Sequence, residues 1–326
     1  MRVLPNLITK QEKIENVLVR QGFRRSNHMI APGLYAVGRP DENSEVLVTA
    51  NYKLSVDALR EHIDFNAWIL VLDTHGINVW CAAGKGTFST EELIKKIAKS
   101  RLNRIVNHKR MILPQLGAPG VSGYIVTAKT GFKVIYGPVR PEDLKTFIDQ
   151  NCKANSNMRR VQFSLQDRLL LTPLEFIQSI RYSAVAFVMI LLMALSGKYS
   201  LEDTQVAVQF GLWMFFATVM GTGVFPLALP KLRGKMFTTK ALPLSLIWSV
   251  AALLSLTKYS VSIFECLGFM FMGSSLIELF ALNFTGATPI TSYSETKDET
   301  LKVMPLIVGS FLLGALVFGL AVWKVI

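Results

Sequence analysis

The sequence predicts a Rossmann-like α/β domain followed by an all-α transmembrane domain of five helices. Strand-like and helix-like segments alternate through residues 1–165, as in parallel sheets with crossover helices. Residues 166–326 contain five apolar stretches of roughly 20 residues, the length that crosses about 30 Å of hydrocarbon. Most of the net charge of +12 falls in residues 1–165. We therefore expect a soluble domain at 1–165 and a membrane domain at 166–326.

Each element of the first domain is predicted from local periodicity and end signals. Ser89 and Glu92 stand at capping-box spacing before a helix, and Glu142 and Asp143 open another, where acids complement the helix dipole. Ile112 and Leu113 are interpreted as the start of a loop. In chain order, we predict a helix at 11–20, a strand at 46–49, a helix at 55–61, a strand at 68–73, a helix at 90–100, strands at 123–128 and 132–136, and a helix at 141–150.

The five membrane spans are predicted near 176–195, 206–228, 240–257, 260–283 and 303–323, with the boundary at 258–260 the least marked. Arg159, Arg160 and Arg168 precede the first span, and a second basic group (Lys231, Arg233, Lys235 and Lys240) separates the second and third. Because basic loops stay in the cytoplasm, the first domain is expected there, at the inner (cytoplasmic) membrane, with the C-terminus outside. Residues 1–10 show no apolar signal-peptide core.

The polar and cysteine residues narrow the chemistry. Three scattered cysteines, Cys81, Cys152 and Cys266, form neither a disulfide framework nor a four-cysteine cluster site within this chain. Any electrons would therefore come from another protein. Glu265 and Glu278 fall in the fourth predicted span, where a carboxylate is either functional or part of helix packing. The basic surplus lacks an aromatic–basic motif, so we expect anionic lipid and no nucleic acid as its partner.

Cys81 lies in a small-residue turn between a predicted strand and a predicted helix, where open α/β sheets bind ligands. A free cysteine is either buried filler or a soft ligand, and both interpretations stay open on spacing alone. The neighbouring Gly84-Lys85-Gly86-Thr87 is not a nucleotide loop. A Walker A loop needs glycine at 79 and serine or threonine at 86, where this chain has Val79 and Gly86.

Two further segments contain glycine and proline, which interrupt regular structure and leave backbone amides exposed. The loop at 113–123 contains two prolines and three glycines, and the turn at 136–140 follows a predicted strand. Both suit a polar-edged ligand that needs backbone hydrogen bonds, although the first could equally be an ordinary surface crossover.

At these segments the chain resembles a known family. The motifs are NYKL at 51–54, NVWCAAGKGTF at 78–88, LPQLGAPGV at 113–121, GFKVIYGPVR at 131–140 and MRRV at 158–161. They are similar to the corrinoid-binding domain of the corrinoid iron–sulfur protein large subunit. The run around Cys81, joined to a membrane tail, resembles the HgcA-type mercury-methylating corrinoid proteins. One departure is Ser89, where glycine is expected. His75 does not complete the Asp-x-His-x-x-Gly motif of His-ligated corrinoid proteins, because position 78 is Asn.

The resemblance implies a cobamide with its lower base detached and Cys81 as the lower ligand of cobalt, which makes Cys81 the expected catalytic and metal-binding residue. It implies a cap around Cys81 and a cradle at 114–121 and 136–138. The expected cofactor-binding residues are Asn51, Asn78, Val79, Trp80, Cys81, Ala82, Ala83, Gly84, Lys85, Thr87, Pro114, Gln115, Leu116, Gly117, Ala118, Pro119, Gly120, Val121, Tyr136, Gly137 and Pro138.

The resemblance also implies a corrinoid-dependent methyltransferase that gives methylmercury from inorganic Hg(II). Methyl would come from a methyltetrahydrofolate-linked donor, and a ferredoxin-like partner with two [4Fe–4S] clusters would reduce the cobalt, with no iron–sulfur cluster in this chain. A thiolate ligand is a strong, soft donor, which suits transfer to a soft electrophile. The alternatives are a membrane-anchored methyl carrier of one-carbon metabolism, similar to the acetyl-CoA pathway, and a membrane cobamide-binding or transport protein without catalysis.

Overall fold

The computed structural model describes residues 2–195, 201–291 and 293–325. The chain forms two compact units, Met1–Gln162 and Phe163–Ile326. Each unit is described by itself.

The first unit is built on a six-stranded mixed sheet in the order β1-β2-β4-β3-β5-β6. The neighbours β4, β3, β5 and β6 run parallel, β2 pairs antiparallel with β4, and β1 pairs parallel with β2. The strands are β1 (Arg2–Leu4), β2 (Gly33–Val37), β3 (Glu45–Ala50), β4 (Ala67–Leu72), β5 (Arg110–Leu113) and β6 (Lys133–Tyr136). The four parallel strands agree with the predicted α/β class.

Six α-helices accompany these strands: α1 (Lys10–Arg20), α2 (Lys53–Glu61), α3 (Val79–Lys85), α4 (Thr90–Ser100), α5 (Gly123–Thr130) and α6 (Leu144–Asp149). A 3₁₀ turn, Pro141–Asp143, leads into α6. Predicted helices at 11–20, 55–61, 90–100 and 141–150 are therefore present, the third at its predicted bounds and the others with ends shifted by one to three residues. The predicted strands at 46–49, 68–73 and 132–136 are present as β3, β4 and β6.

Alternate strand residues bury into two different cores. Val46 and Val48 of β3 pack on the face that carries α3, α4 and α5, whereas Leu47 packs on the opposite face with Val56 of α2 and Leu144 of α6. This follows from the two-residue period of a strand. Helix α2, which leads from β3 to β4, and helix α4, which leads back to β5, thus cover opposite faces.

Two predictions for this unit were wrong. Residues 123–128 form helix α5 because β5 and β6 are parallel neighbours, and parallel strands need a crossover connection. Helix α5 ends at Gly131, whose φ of 76° is left-handed. Ile112 and Leu113 belong to the buried strand β5, which is only four residues long and so leaves little periodic signal.

The second unit is helical: α7 (Leu165–Leu195), α8 (Leu201–Val219), a π-turn (Met220–Val224), α9 (Phe225–Ala228), a 3₁₀ turn (Leu229–Lys231), α10 (Phe237–Leu256), α11 (Ile263–Phe284) and α12 (Tyr293–Val322). In the described residues, four stretches are long and apolar enough to cross a membrane, Gln205–Lys231, Phe237–Leu256, Ile263–Phe284 and Ser294–Val322. They match the second to fifth predicted spans. The first, 176–195, lies in α7, is not among the four, and stays a prediction; five spans are not confirmed.

Glu265 and Arg168 of the second unit have structural partners. The break at 258–260 is real, since Ser262 and Glu265 form a reciprocal capping box at the start of α11. Glu265 is therefore a helix-capping residue. Arg168, counted above among the loop charges, is buried and donates from Nη1 to the Leu227 carbonyl at 2.6 Å, close to the proline-interrupted end of the second span.

Candidate functional site

The turn after β4 is held by the side-chain amide of one buried asparagine. Asn51 follows β3, and its side-chain oxygen accepts hydrogen bonds from the Thr74 amide, the Thr74 hydroxyl and the Gly76 amide at 2.9–3.0 Å. His75 lies in this turn with a left-handed φ of 55°. The predicted site residue Asn51 thus positions the segment that leads into α3.

Helix α3 carries Cys81 on its first turn. Asn78 is the N-cap, and its side-chain oxygen accepts from the Cys81 amide at 2.9 Å. Ala82 and Ala83 are buried against the core, which turns the Cys81 side chain outward. The helix ends after seven residues at Gly86, with a φ of 77°. Cys81 is exposed, so it is not buried filler.

The outer side of α3 is open. A methyl group built on Gly84 would meet no atom within 4 Å. Trp80 is 39% exposed beside the thiol, and Lys85 is exposed at the end of the helix. The side of α3 that carries Gly84 is therefore open to a ligand.

A cavity of about 320 Å³ lies at the carboxyl ends of β3 and β5. These strands are neighbours, and the helices that leave and enter them cover opposite faces, so the cavity stands where open α/β sheets bind ligands. Seven predicted site residues line it: Asn78, Val79, Trp80, Pro114, Leu116, Gly137 and Pro138.

Part of the cavity wall was not among the predicted site residues. It comes from β3 and α2 on one side and from the segment between β6 and the first residue of α6 on the other, and includes Thr49, Ser55, Ala58, Leu59, Val139, Arg140, Pro141 and Leu144. Of these, Val139 and Arg140 belong to the turn at 136–140 that the sequence had singled out. The wall residues of α2 are one helical turn apart. Their small size at 55 and 58 was the available signal.

Most of the 117–121 loop packs against α3 and lies outside the cavity lining. A Cβ on Gly117 would collide with the Phe88 ring, and one on Gly120 would collide with the Phe88 carbonyl oxygen. Val121 is buried, and its carbonyl accepts from the Tyr136 hydroxyl. Gly117 therefore allows close packing on Phe88, which follows α3, and Gly120 allows close packing on Phe88 and on Ala83 of α3. Cys81 itself is outside the lining, although its neighbours Val79 and Trp80 line the cavity. The other predicted residues outside the lining are Asn51, Ala82, Ala83, Gly84, Lys85, Thr87, Gln115, Ala118, Pro119 and Tyr136.

Arg159 joins the two predicted cradle segments. Its guanidinium donates to the carbonyl oxygens of Tyr136 at 2.9 Å and Gly137 at 3.3 Å, and to the side-chain oxygen of Gln115. The MRRV motif contained this residue, but nothing in its spacing gave it a role. Arg159 therefore fixes the turn at 136–137 against the loop that starts at Pro114.

The remaining thiol of the first unit differs from Cys81. Cys152 is partly buried, and this burial, together with the Glu45 charge, raises the pKa of its thiol. Among the described residues, no three His, Cys, Asp or Glu side chains come together as a metal site. Of the two thiols in the first unit, the exposed Cys81 on α3 is therefore the one available as a soft metal ligand.

Comparisons with known proteins cover the same region. Residues 24–148 match the family model described as CO dehydrogenase/acetyl-CoA synthase delta subunit. The first unit resembles this family. The chain is 33% identical over 129 residues to the acetyl-CoA decarbonylase/synthase complex subunit gamma of Methanopyrus kandleri, covering 39% of this chain and 28% of that protein.

A second relative names a cofactor. The corrinoid/iron-sulfur protein large subunit of Moorella thermoacetica is 32% identical over 121 residues, covering 36% of this chain and 27% of that protein. The chain thus spans less than a third of the length of these curated relatives. The family match includes α3 and the cavity and ends before the helices of the second unit.

Proposed function

We propose that the chain is a membrane-held corrinoid protein that carries a methyl group and transfers it to an acceptor. The observation that carries the proposal is the exposed Cys81 on the first turn of α3, whose N-cap Asn78 lines a cavity at the carboxyl ends of β3 and β5. The likeness of residues 24–148 to corrinoid/iron-sulfur and acetyl-CoA synthase subunits supports the carrier interpretation.

The residues present fit a cobamide. The open side of α3 accepts a flat macrocycle, and the largely apolar cavity accepts an organic group such as its detached lower base. When bound, the cobamide would supply a cobalt atom that carries methyl. Cys81 would be the protein ligand of that cobalt, Asn78 would fix the helix turn that presents the thiol, Trp80 would limit water, and Arg159 would hold the cradle at 114–121 and 136–138.

For the acceptor we propose inorganic Hg(II), as substrate. The specific observation in favour is that the exposed donor is a thiol, since a soft, electron-rich ligand favours release of methyl together with its electron pair. The rival acceptor is an enzyme of one-carbon metabolism, which the names of the relatives favour. We propose a methyltetrahydrofolate-linked methyl donor, a ferredoxin-like electron donor with two [4Fe–4S] clusters, and an inner-membrane location with the first unit in the cytoplasm.

The test is the absorption spectrum of the full chain in detergent, reconstituted with a cobamide, for wild type, Cys81→Ala and the matched control Cys152→Ala. Loss of a sulfur ligand should change the Co(III) bands in Cys81→Ala alone. Identical spectra for wild type and Cys81→Ala would show that Cys81 does not bind the cobalt. Methylated protein is then mixed with Hg(II) or with a corrinoid-dependent acetyl-CoA synthase, and the faster methyl loss identifies the acceptor.

A further inference from the structure

Helix α1 presents an apolar face that no other part of the described chain covers. Ile14, Val17 and Leu18 follow the i, i+3, i+4 spacing of one helix face and are 63%, 56% and 47% exposed. Phe23, just beyond the helix, is 57% exposed. We call these four residues the α1 face. Large apolar side chains grouped in this way mark a surface that binds something.

The opposite side of α1 is fastened to the first unit. Val19 is buried, the Asn16 amide donates to Asp57 at 2.9 Å, and the Glu12 carboxylate accepts from Arg60 at 2.6 Å. Thr9 and Glu12 form a reciprocal capping box at its start. The helix is therefore anchored, and its exposed face has a defined orientation.

Most of the exposed charges around the α1 face are positive. Of the two acids of α1, Glu12 pairs with Arg60, and the half-exposed Glu15 lies 3.4 Å from the His28 ring. The cations that border the face are all exposed, and they are Lys10, Lys13, Arg20, Arg24 and Arg25. An apolar stripe bordered by cations is the pattern of helices that lie in the interface of anionic membranes.

The chain itself supplies a reason for a membrane to be close. Residues 150–164 separate α6 from α7, and the described part of the second unit has four stretches long and apolar enough to cross a bilayer. A surface tethered in this way meets the bilayer at high effective concentration, so a modest affinity is sufficient. The same cations complement the anionic lipid of a cytoplasmic leaflet.

We propose that the α1 face docks on an anionic membrane surface, with Ile14, Val17, Leu18 and Phe23 entering the headgroup boundary and the surrounding cations contacting lipid phosphates. The first unit is then held at two points, through its linker and through α1. Such docking restricts which sides of the unit remain open to partners.

The test uses the full chain in nanodiscs of phosphatidylcholine alone or mixed with phosphatidylglycerol. A photoreactive residue is introduced by Val17→p-benzoylphenylalanine, with the exposed loop position Asn43→p-benzoylphenylalanine as the matched control. After illumination, mass spectrometry separates lipid adducts from protein adducts. We expect lipid adducts at 17, with about tenfold less at 43 and in discs without phosphatidylglycerol.

A second variant tests the charges. Lys13→Glu combined with Arg20→Glu should lower the lipid adducts at 17 by about tenfold or more, because each basic residue near an anionic surface contributes severalfold to binding. Amide exchange of α1 verifies that the helix is intact. Adducts to a second copy or to another protein, equal lipid labelling at 17 and 43, no adducts at 17, or labelling that ignores the charge reversal would each overturn the proposal.

Discussion

The order of α3 should depend on the Asn78 side chain. Helix α3 has seven residues, far fewer than the roughly 12 that an isolated helix needs to be stable in water. Its first turn is closed by the 2.9 Å bond from the Cys81 amide to Asn78. Replacing an N-cap by alanine costs about 1 kcal/mol. That free energy corresponds to about a fivefold rise in the population of the opened helix.

The measurement is amide hydrogen exchange of the full chain in nanodiscs, followed at residues 79–86. Asn78→Ala should exchange about fivefold faster there, while Asn78→Asp keeps a capping oxygen and should stay near wild type. Ser89→Ala is the matched control, because Ser89 caps α4 through the Glu92 amide at 3.2 Å. Faster exchange in α4 of Ser89→Ala, without any change in α3 of Asn78→Ala, would refute the capping argument.

Three further predictions concern the first unit. Gly120→Ala should lower thermal stability by about 1–3 kcal/mol, because its Cβ would meet the Phe88 carbonyl oxygen, whereas Gly84→Ala should not; equal melting temperatures would contradict this. Burial alone would raise the pKa of Glu12, but bonds from Thr9 and Arg60 and the Arg60 and Lys53 charges lower it from 4.5 to about 2. Its stabilisation is therefore complete above pH 4.5 and lost towards pH 2, so the melting temperature of Glu12→Gln should fall below wild type at pH 6 and approach it near pH 2. Arg159→Ala should weaken cobamide binding by about tenfold because charged hydrogen bonds are lost, and titration of the full chain with cobamide measures this. The control is Arg160→Ala, because the exposed Arg160 side chain takes no part in the cradle. Equal weakening in both variants would count against the role of Arg159.

Helices whose apolar residues repeat along one face, and strands made of a continuous apolar run, were predictable from the sequence. Helix α4 was placed at its observed bounds because Ser89 caps it and its apolar residues repeat along one face. The capping box expected there is only half present. The Glu92 carboxylate instead accepts from the Asp73 amide and pairs with Lys96, which fastens α4 to the turn before α3.

The failures have tertiary causes. Strand β1 has three residues at the sheet edge, and β2 is recognisable only through its antiparallel partner β4. Residues 123–128 are rich in residues that favour strands, yet the parallel pairing of β5 and β6 imposes a helix between them.

At the candidate site, residues that are contiguous in the sequence were easier to predict than cavity residues that come together only in the fold. The capped helix turn around Cys81 is contiguous, so Asn78 and the small residues predicted it. The contribution of α2 and the bridging role of Arg159 arise only when β3, β5 and β6 lie side by side. Asn51 was predicted as a ligand contact, and this stays a prediction; its side-chain hydrogen bonds in the structure go to residues 73–76.

Strands β3 and β5 lie in the middle of the sheet, between β4 and β6, and the 320 Å³ cavity is at their carboxyl ends. A ligand bound there would contact both central strands at once. We therefore expect ligand binding to slow amide exchange in β3 and β5 more than in the edge strands β1 and β6.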